Sequence, residues 1–353
     1  MISRHIFTFL VYFLAMALIQ DLRWCLTTPP LLRSLGAESL KVGVRLEQLP
    51  LRQPAELIPP DSIHCDSIHC DSIHCDSIHC DETSVYSNQL AAFLAHKAPT
   101  RRIGHYFEYL WEFIAQQCLQ ETVVCTNQQI RDHARTLGAL DLLTIKDRTL
   151  IHRELAVKFY LADGDGAHLC NWIGPHGLDR LDLKLQHFLS HQIPLLHAPL
   201  CQVNVSQRLL EGRLPELQNL QQESRIVLQG YLFYHWQTGP PPHLPAEINP
   251  AHPHGLWCRH SEFSQFLSAF DSHRDSRWLN LPRLQWLSPV TISAENAGPL
   301  SSEAILALLS RHFGIPAQSS VLLAKMVINR QWHESMRVFV VADEWPTPDH
   351  QAE

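Results

Sequence analysis

Positive charge is the first thing this sequence has too little of. Its 28 lysines and arginines face 35 aspartates and glutamates, for a formal net charge of −7 with histidine neutral. Coating nucleic acid through bulk charge needs the opposite balance. That class is excluded, and an anion-binding surface would have to be a local groove on an acidic body. Paired cysteines are lacking as well. Of 10 cysteines, Cys65, Cys70, Cys75 and Cys80 belong to one repeat, and Cys25, Cys118, Cys125, Cys170, Cys201 and Cys258 form no C-x-x-C pair or regular framework. A disulfide scaffold is thereby excluded, and a reduced, cytosolic chain fits better. No G-x-S-x-G, P-loop or G-x-G-x-x-G stretch occurs. Acyl transfer and a bound nucleotide cofactor therefore lack support.

What is present is a foldable composition. Hydrophobic residues make up 45% and charged ones 18% of 353 positions, enough for two modest domains or one with large extensions. The apolar run Ile6–Ile19, preceded by Arg4, has the outline of a signal-peptide core but is shorter than the ~20 residues of a spanning helix. No polar spacer separates it from globular-looking sequence, so it is read as a helix packing on the body, with a membrane role set aside. Secretion or tethering through residues 6–19 is the alternative to a cytoplasmic location. From Asp61 to Cys80 the unit Asp-Ser-Ile-His-Cys occurs four times without variation. Its period of five matches neither helix nor strand, which suits a tolerant surface loop. His64, Cys65, His69, Cys70, His74, Cys75, His79 and Cys80 are competent zinc or copper ligands, yet their spacing is not that of a structural zinc site.

The pattern sharpens from Arg101. Ile103, Phe107, Leu110, Ile114 and Cys118 recur at helical steps. Strands are expected at 122–132, 140–145, 149–161 and 225–236, with a helix at 177–191 between the last two, carrying Leu178, Leu181, Leu185 and Leu189 on one side. The order is α-β-β-β-α-β. The Pro-rich segment Pro240–Pro253 marks a boundary, beyond which lie a strand-like 278–287, a helix at 302–313 and strands at 321–329 and 336–342. Trp257, Trp278, Trp286, Trp332 and Trp345 fall there at irregular intervals and are read as core.

The third strand places Glu154, Ala156, Lys158 and Tyr160 on one face and Leu155, Val157, Phe159 and Leu161 on the other. One face should enter the core while the other gathers an acid and a lysine. The second strand adds Asp141 among apolar neighbours, a costly position without a cation or metal. Adjacent strands lie about 4.8 Å apart, so Asp141 and Glu154 can share one ion, and two oxygen ligands suit Mg2+ or Mn2+. Arg180, Lys184, His187 and His191 share the polar side of the following helix, where they can meet a phosphate backbone. Gln192 falls near its apolar side and reads as a core or capping residue.

The series Asp141, Glu154 and Lys158, after a helix bearing Glu108, is similar to the active-site series of the PD-(D/E)XK phosphodiesterase superfamily. Over more of the chain the sequence resembles an uncharacterised bacterial family, domain-of-unknown-function family 1853. The segments that carry this likeness are 104–111, 138–143, 152–161, 172–175, 179–185 and 339–346. The resemblance implies an α/β fold with an αβββαβ restriction-endonuclease-like core at 101–240. Residues 1–20 form the apolar segment, 21–100 a helical lead-in with the repeat loop at 61–80, and 241–353 a C-terminal α/β extension. It also implies metal-assisted hydrolysis of a nucleic-acid phosphodiester. Asp141 and Glu154 would hold the ion, with Glu108 as accessory ligand in preference to Glu112, which points to solvent on a helical wheel. Lys158 would orient water or offset charge on the phosphate. The spacing departs from the superfamily: acid and lysine stand four residues apart, about 13 Å between α-carbons, rather than two. The alternative is a catalytically inactive nuclease-fold protein that binds nucleic acid or a protein partner.

Overall fold

The computed structural model describes residues 17–35, 44–47, 81–133, 135–270, 276–294, 298–315 and 318–346. The repeat at 61–80 and the apolar run up to residue 16 lie outside the described residues, as do the readings made of them. Residues 17–27 are helical and bury Ile19, Leu22, Trp24, Cys25 and Leu26 in the main core. Among the described residues no helix is long and apolar enough to cross a membrane.

In chain order the elements are β1 (Val44–Leu46), α1 (Asp81–Ala95), α2 (Ile103–Phe113), β2 (Thr122–Asp132), β3 (Arg135–Lys146), β4 (Thr149–Ala162), β5 (Trp172–Ile173), α3 (Leu181–His187), α4 (Pro199–Glu211) and β6 (Gln221–His235). They continue as β7 (His254–Arg259), α5 (Phe263–Phe270), β8 (Arg277–Asn280), β9 (Thr291–Ser293), α6 (Ser302–Phe313), β10 (Val321–Asn329) and β11 (Gln331–Val341). All strands belong to one mixed sheet ordered β2-β3-β4-β6-β7-β11-β10-β8, with β1 beside β6, β5 beside β4 and β9 beside β11.

Strands β2, β3 and β4 form an antiparallel meander. Strand β6 lies parallel to β4 from Thr149↔Gln221 to Leu161↔Phe233. Parallel neighbours need a long crossover, which the chain makes through α3, a π-helical turn at Phe188–Gln192 and α4. The expected α-β-β-β-α-β order is therefore present, with the short strand β5 and one helix more. A loop was read where α4 stands, although Cys201, Val205 and Leu209, its buried stripe, repeat every fourth residue, and Pro199 at its first position suits a helix start. Helix α3 begins at Leu181 rather than at residue 177, and Leu178 is 80% exposed instead of packed. The strand foreseen at 278–287 ends at Asn280, before a 3-10 turn at Arg283–Gln285.

Strand β4 is covered on both faces, contrary to the expectation of one core face. Leu155, Val157, Phe159 and Leu161 pack with Phe107, Leu110, Trp111 and Ile114 of the first helix region. Ala156, Tyr160 and Ala162 pack with Leu181, Leu185 and Phe188. Central strands with parallel neighbours are normally buried in this way. Beyond the Pro-rich stretch the sheet runs on unbroken, since β7 pairs with β6 and β11 with β7.

Candidate functional site

The pairing of β3 with β4 runs from Lys146↔Thr149 to Leu142↔Arg153 and stops, while β4 stays paired with β6 as far as Leu161. The meander thus opens into a fork, and Asp141 and Glu154 are the first residues past the last pair. Opening a ladder frees backbone donors that need partners. Asp141 Oδ2 accepts one of them, the Leu155 N–H, at 2.9 Å, which fixes its carboxyl at the crotch of the fork.

Glu154 is fully buried. Its Oε1 lies 2.8 Å from His152 Nε2, and its Oε2 accepts from Gln192 Nε2. Gln192 in turn accepts at Oε1 from Lys184 Nζ, at 2.9 Å. The amide is therefore oriented by charge at both ends, its NH2 toward the acid and its carbonyl toward the ammonium. Burial raises Glu154 to about 8, against the pull of the Lys184 charge and of hydrogen bonding with Asp141. Burial and then the neighbouring Glu154 charge raise Asp141 to about 7, with the Leu155 N–H and Lys184 pulling down. Glu108, across the mouth, rises to about 7 through burial and the charge of Asp141. Burial lowers His152 to about 4, so its bond to Glu154 comes from a neutral ring rather than from an ion pair. Lys184 is lowered by burial and by repulsion from Lys158, while Glu154 and Asp141 hold it up.

The charges of Asp141, Glu154 and Glu108 thus act on one another, but the lysine is not the expected one. Lys158 is tied to Asp179 at 2.5 Å, and Tyr160 donates to the same carboxylate at 3.3 Å. The ammonium that approaches the acids is that of Lys184, from α3. Of the other expected phosphate contacts, Arg180 is engaged by Asp182 at 2.7 Å. His187 and His191 are exposed, their ring centroids 5.2 Å apart. Glu112 does not face solvent: it is buried and takes Lys97 Nζ at 2.7 and 2.6 Å.

Gln192 and His152 were not foreseen. At 100° per residue Gln192 falls toward the apolar side of the helix, but the wider π turn at Phe188–Gln192 swings it back toward Lys184. His152 was visible in principle, two residues before Glu154 and so on the same strand face. Among the described residues no group of three or more His, Cys, Asp or Glu side chains is arranged to hold a metal ion. The expected triple of Asp141, Glu154 and Glu108 is thus not a closed ligand set. The donors that converge are two carboxyls. Such hard oxygens suit an ion that keeps most of its water, as magnesium does, and would leave zinc under-coordinated.

Fold and site define a mixed α/β protein with a buried acid pair at a strand fork and a lysine behind it. The chain belongs to a family of unknown function, whose model, domain of unknown function DUF1853, matches residues 20–341. No curated protein and no solved structure matches it.

Proposed function

We propose that the fork is a magnesium- or manganese-dependent, nuclease-like phosphodiesterase centre acting on nucleic acid. The observation that carries this reading is the meeting of Asp141 and Glu154, two carboxyls held above their ordinary range mainly by burial although the nearby Lys184 charge pulls both down. Buried acids of this kind cluster at functional sites. The element order supports the reading too. A helix, three strands, a crossover helix and a fourth strand follow in the order that the PD-(D/E)XK resemblance implies.

Asp141 and Glu154 would hold the divalent ion, which when bound supplies charge that acidifies a coordinated water and offsets charge on phosphate oxygens. Lys184, steered by Gln192, would set its ammonium toward the phosphate. His187 and His191 stand free on the outer side of the same helix for a neighbouring phosphate, whereas Arg180 is occupied by Asp182.

Calorimetric titration of Mg2+ and Mn2+ into the wild type and Asp141→Ala, followed by cleavage assays on labelled DNA and RNA, tests the proposal. Saturable binding lost in the variant, together with cleavage, is the expected result. Equal heats for the two proteins would overturn it. Lys184→Met should keep the ion and lose about 10²–10³-fold in cleavage rate, with Lys158→Met costing far less. A second reading, a nuclease fold that binds without cutting, draws on Ala156 standing where the superfamily's lysine is usual. Ion and nucleic-acid binding without cleavage would select it.

A further inference from the structure

We infer that His152 and Gln192 are positioning residues that confine Glu154 to one-oxygen contact with a cation and so set the site's preference for Mg2+ over Ca2+. The inference rests on the proposed cation site. Each oxygen of Glu154 already has its own partner, Oε1 the His152 Nε2 at 2.8 Å, which donates once the acid is ionised, and Oε2 the Gln192 amide. Both His152 and Glu154 are completely buried, so the bond from His152 is not replaceable by solvent. Turning the carboxylate to offer both oxygens to one ion would break one of these bonds. A small octahedral ion needs a single oxygen from each carboxylate and keeps its waters, whereas calcium takes more ligands and commonly takes both oxygens of a glutamate.

A second observation points the same way. His152 Nδ1 is buried with no partner among the described residues, a desolvation cost that an apolar side chain would avoid. Packing alone gives no reason to keep an imidazole there. What it provides is one donor aimed at Glu154, the way outer partners orient metal ligands.

The test is the ratio of Ca2+ to Mg2+ dissociation constants, measured by calorimetry on the full chain, for the wild type, His152→Phe, His152→Gln and Gln192→Leu. The two variants that lose a donor should lower the preference for Mg2+ by about tenfold or more, while His152→Gln, which keeps an N–H, should stay within about threefold of wild type. Loss of packing would weaken both ions alike and leave the ratio unchanged. Should His152→Phe fail to melt cooperatively, Gln192→Leu, at a half-buried position, decides alone. An unchanged ratio in the folded donor-loss variants overturns this inference and leaves the cation site standing. A wild type that binds neither ion overturns the proposed function itself, and this inference with it.

Discussion

Asp141 and Glu154 sit where burial penalises the charged form of both. Their carboxyls move from 3.8 to about 7 and from 4.5 to about 8, so each holds a proton in the folded chain that the unfolded chain has already released. Stability gained in this way is full below the unfolded values and is lost as pH rises through the folded ones. His152, lowered from 6.5 to about 4, acts in the opposite sense: its contribution is present above 6.5 and lost as pH falls toward 4. From pH 6.5 to pH 8 the unfolded chain loses what remains of the His152 charge, and the raised acids, Glu108 among them, dominate the slope. Thermal melts should show stability falling across that window by on the order of 1–2 kcal/mol, with Glu154→Gln flattening the slope. Added Mg2+ should raise the melting temperature more at pH 8 than at pH 6.5, because the ion needs the acids ionised. The acids were legible because an aspartate and a glutamate within apolar strands stand out. The lysine was not, because helix packing decides which ammonium reaches them, and Lys158, on the expected strand face, is taken by Asp179.

At the scale of elements, the opposite side of β4 carries Arg153, which is fully buried. Its Nη atoms meet Glu121 at 2.6 and 2.8 Å and its Nε meets Glu47 at 2.6 Å, while Thr144 accepts from Nη1 at 3.0 Å. This network ties β4, β3, the start of β2 and the residue after β1 together next to the fork. Arg153→Met should destabilise the protein by about 3–5 kcal/mol, because Glu121 would be left buried without a cation, whereas Glu47 keeps Arg225 at 2.9 Å. Denaturant titration at neutral pH measures it, and a loss below about 1 kcal/mol would mean that water reaches Glu121. The sequence pattern located β2, β10 and α6 at their observed bounds. It misplaced the start of α3 and overlooked α4, as well as α5 and β7, two short elements that depend on neighbours for their apolar contacts.

Across the whole molecule, the strands after the Pro-rich segment complete the same sheet. Trp257 Nε1 donates to Ala162 O at 3.0 Å, the rings of Phe233 and Phe339 meet at 4.7 Å, and the Arg337 guanidinium lies 4.1 Å from the Tyr231 ring centre. A fragment of residues 101–240 would expose the β6 edge and those rings to water. It is expected to melt without a cooperative calorimetric transition, unlike the full chain, and a sharp transition in the fragment would show that its core is self-sufficient.

The sequence by itself determined where most of the helices and strands lie and which two acids are out of place among apolar neighbours, because side-chain periodicity and the cost of a buried charge are local properties. Only the tertiary structure decided that β4 is enclosed on both faces, that Lys184 rather than Lys158 meets the acids through Gln192, and that one sheet crosses the proline segment. Strand partners and the convergence of side chains from distant elements depend on how the whole core packs, and local spacing carries no record of that.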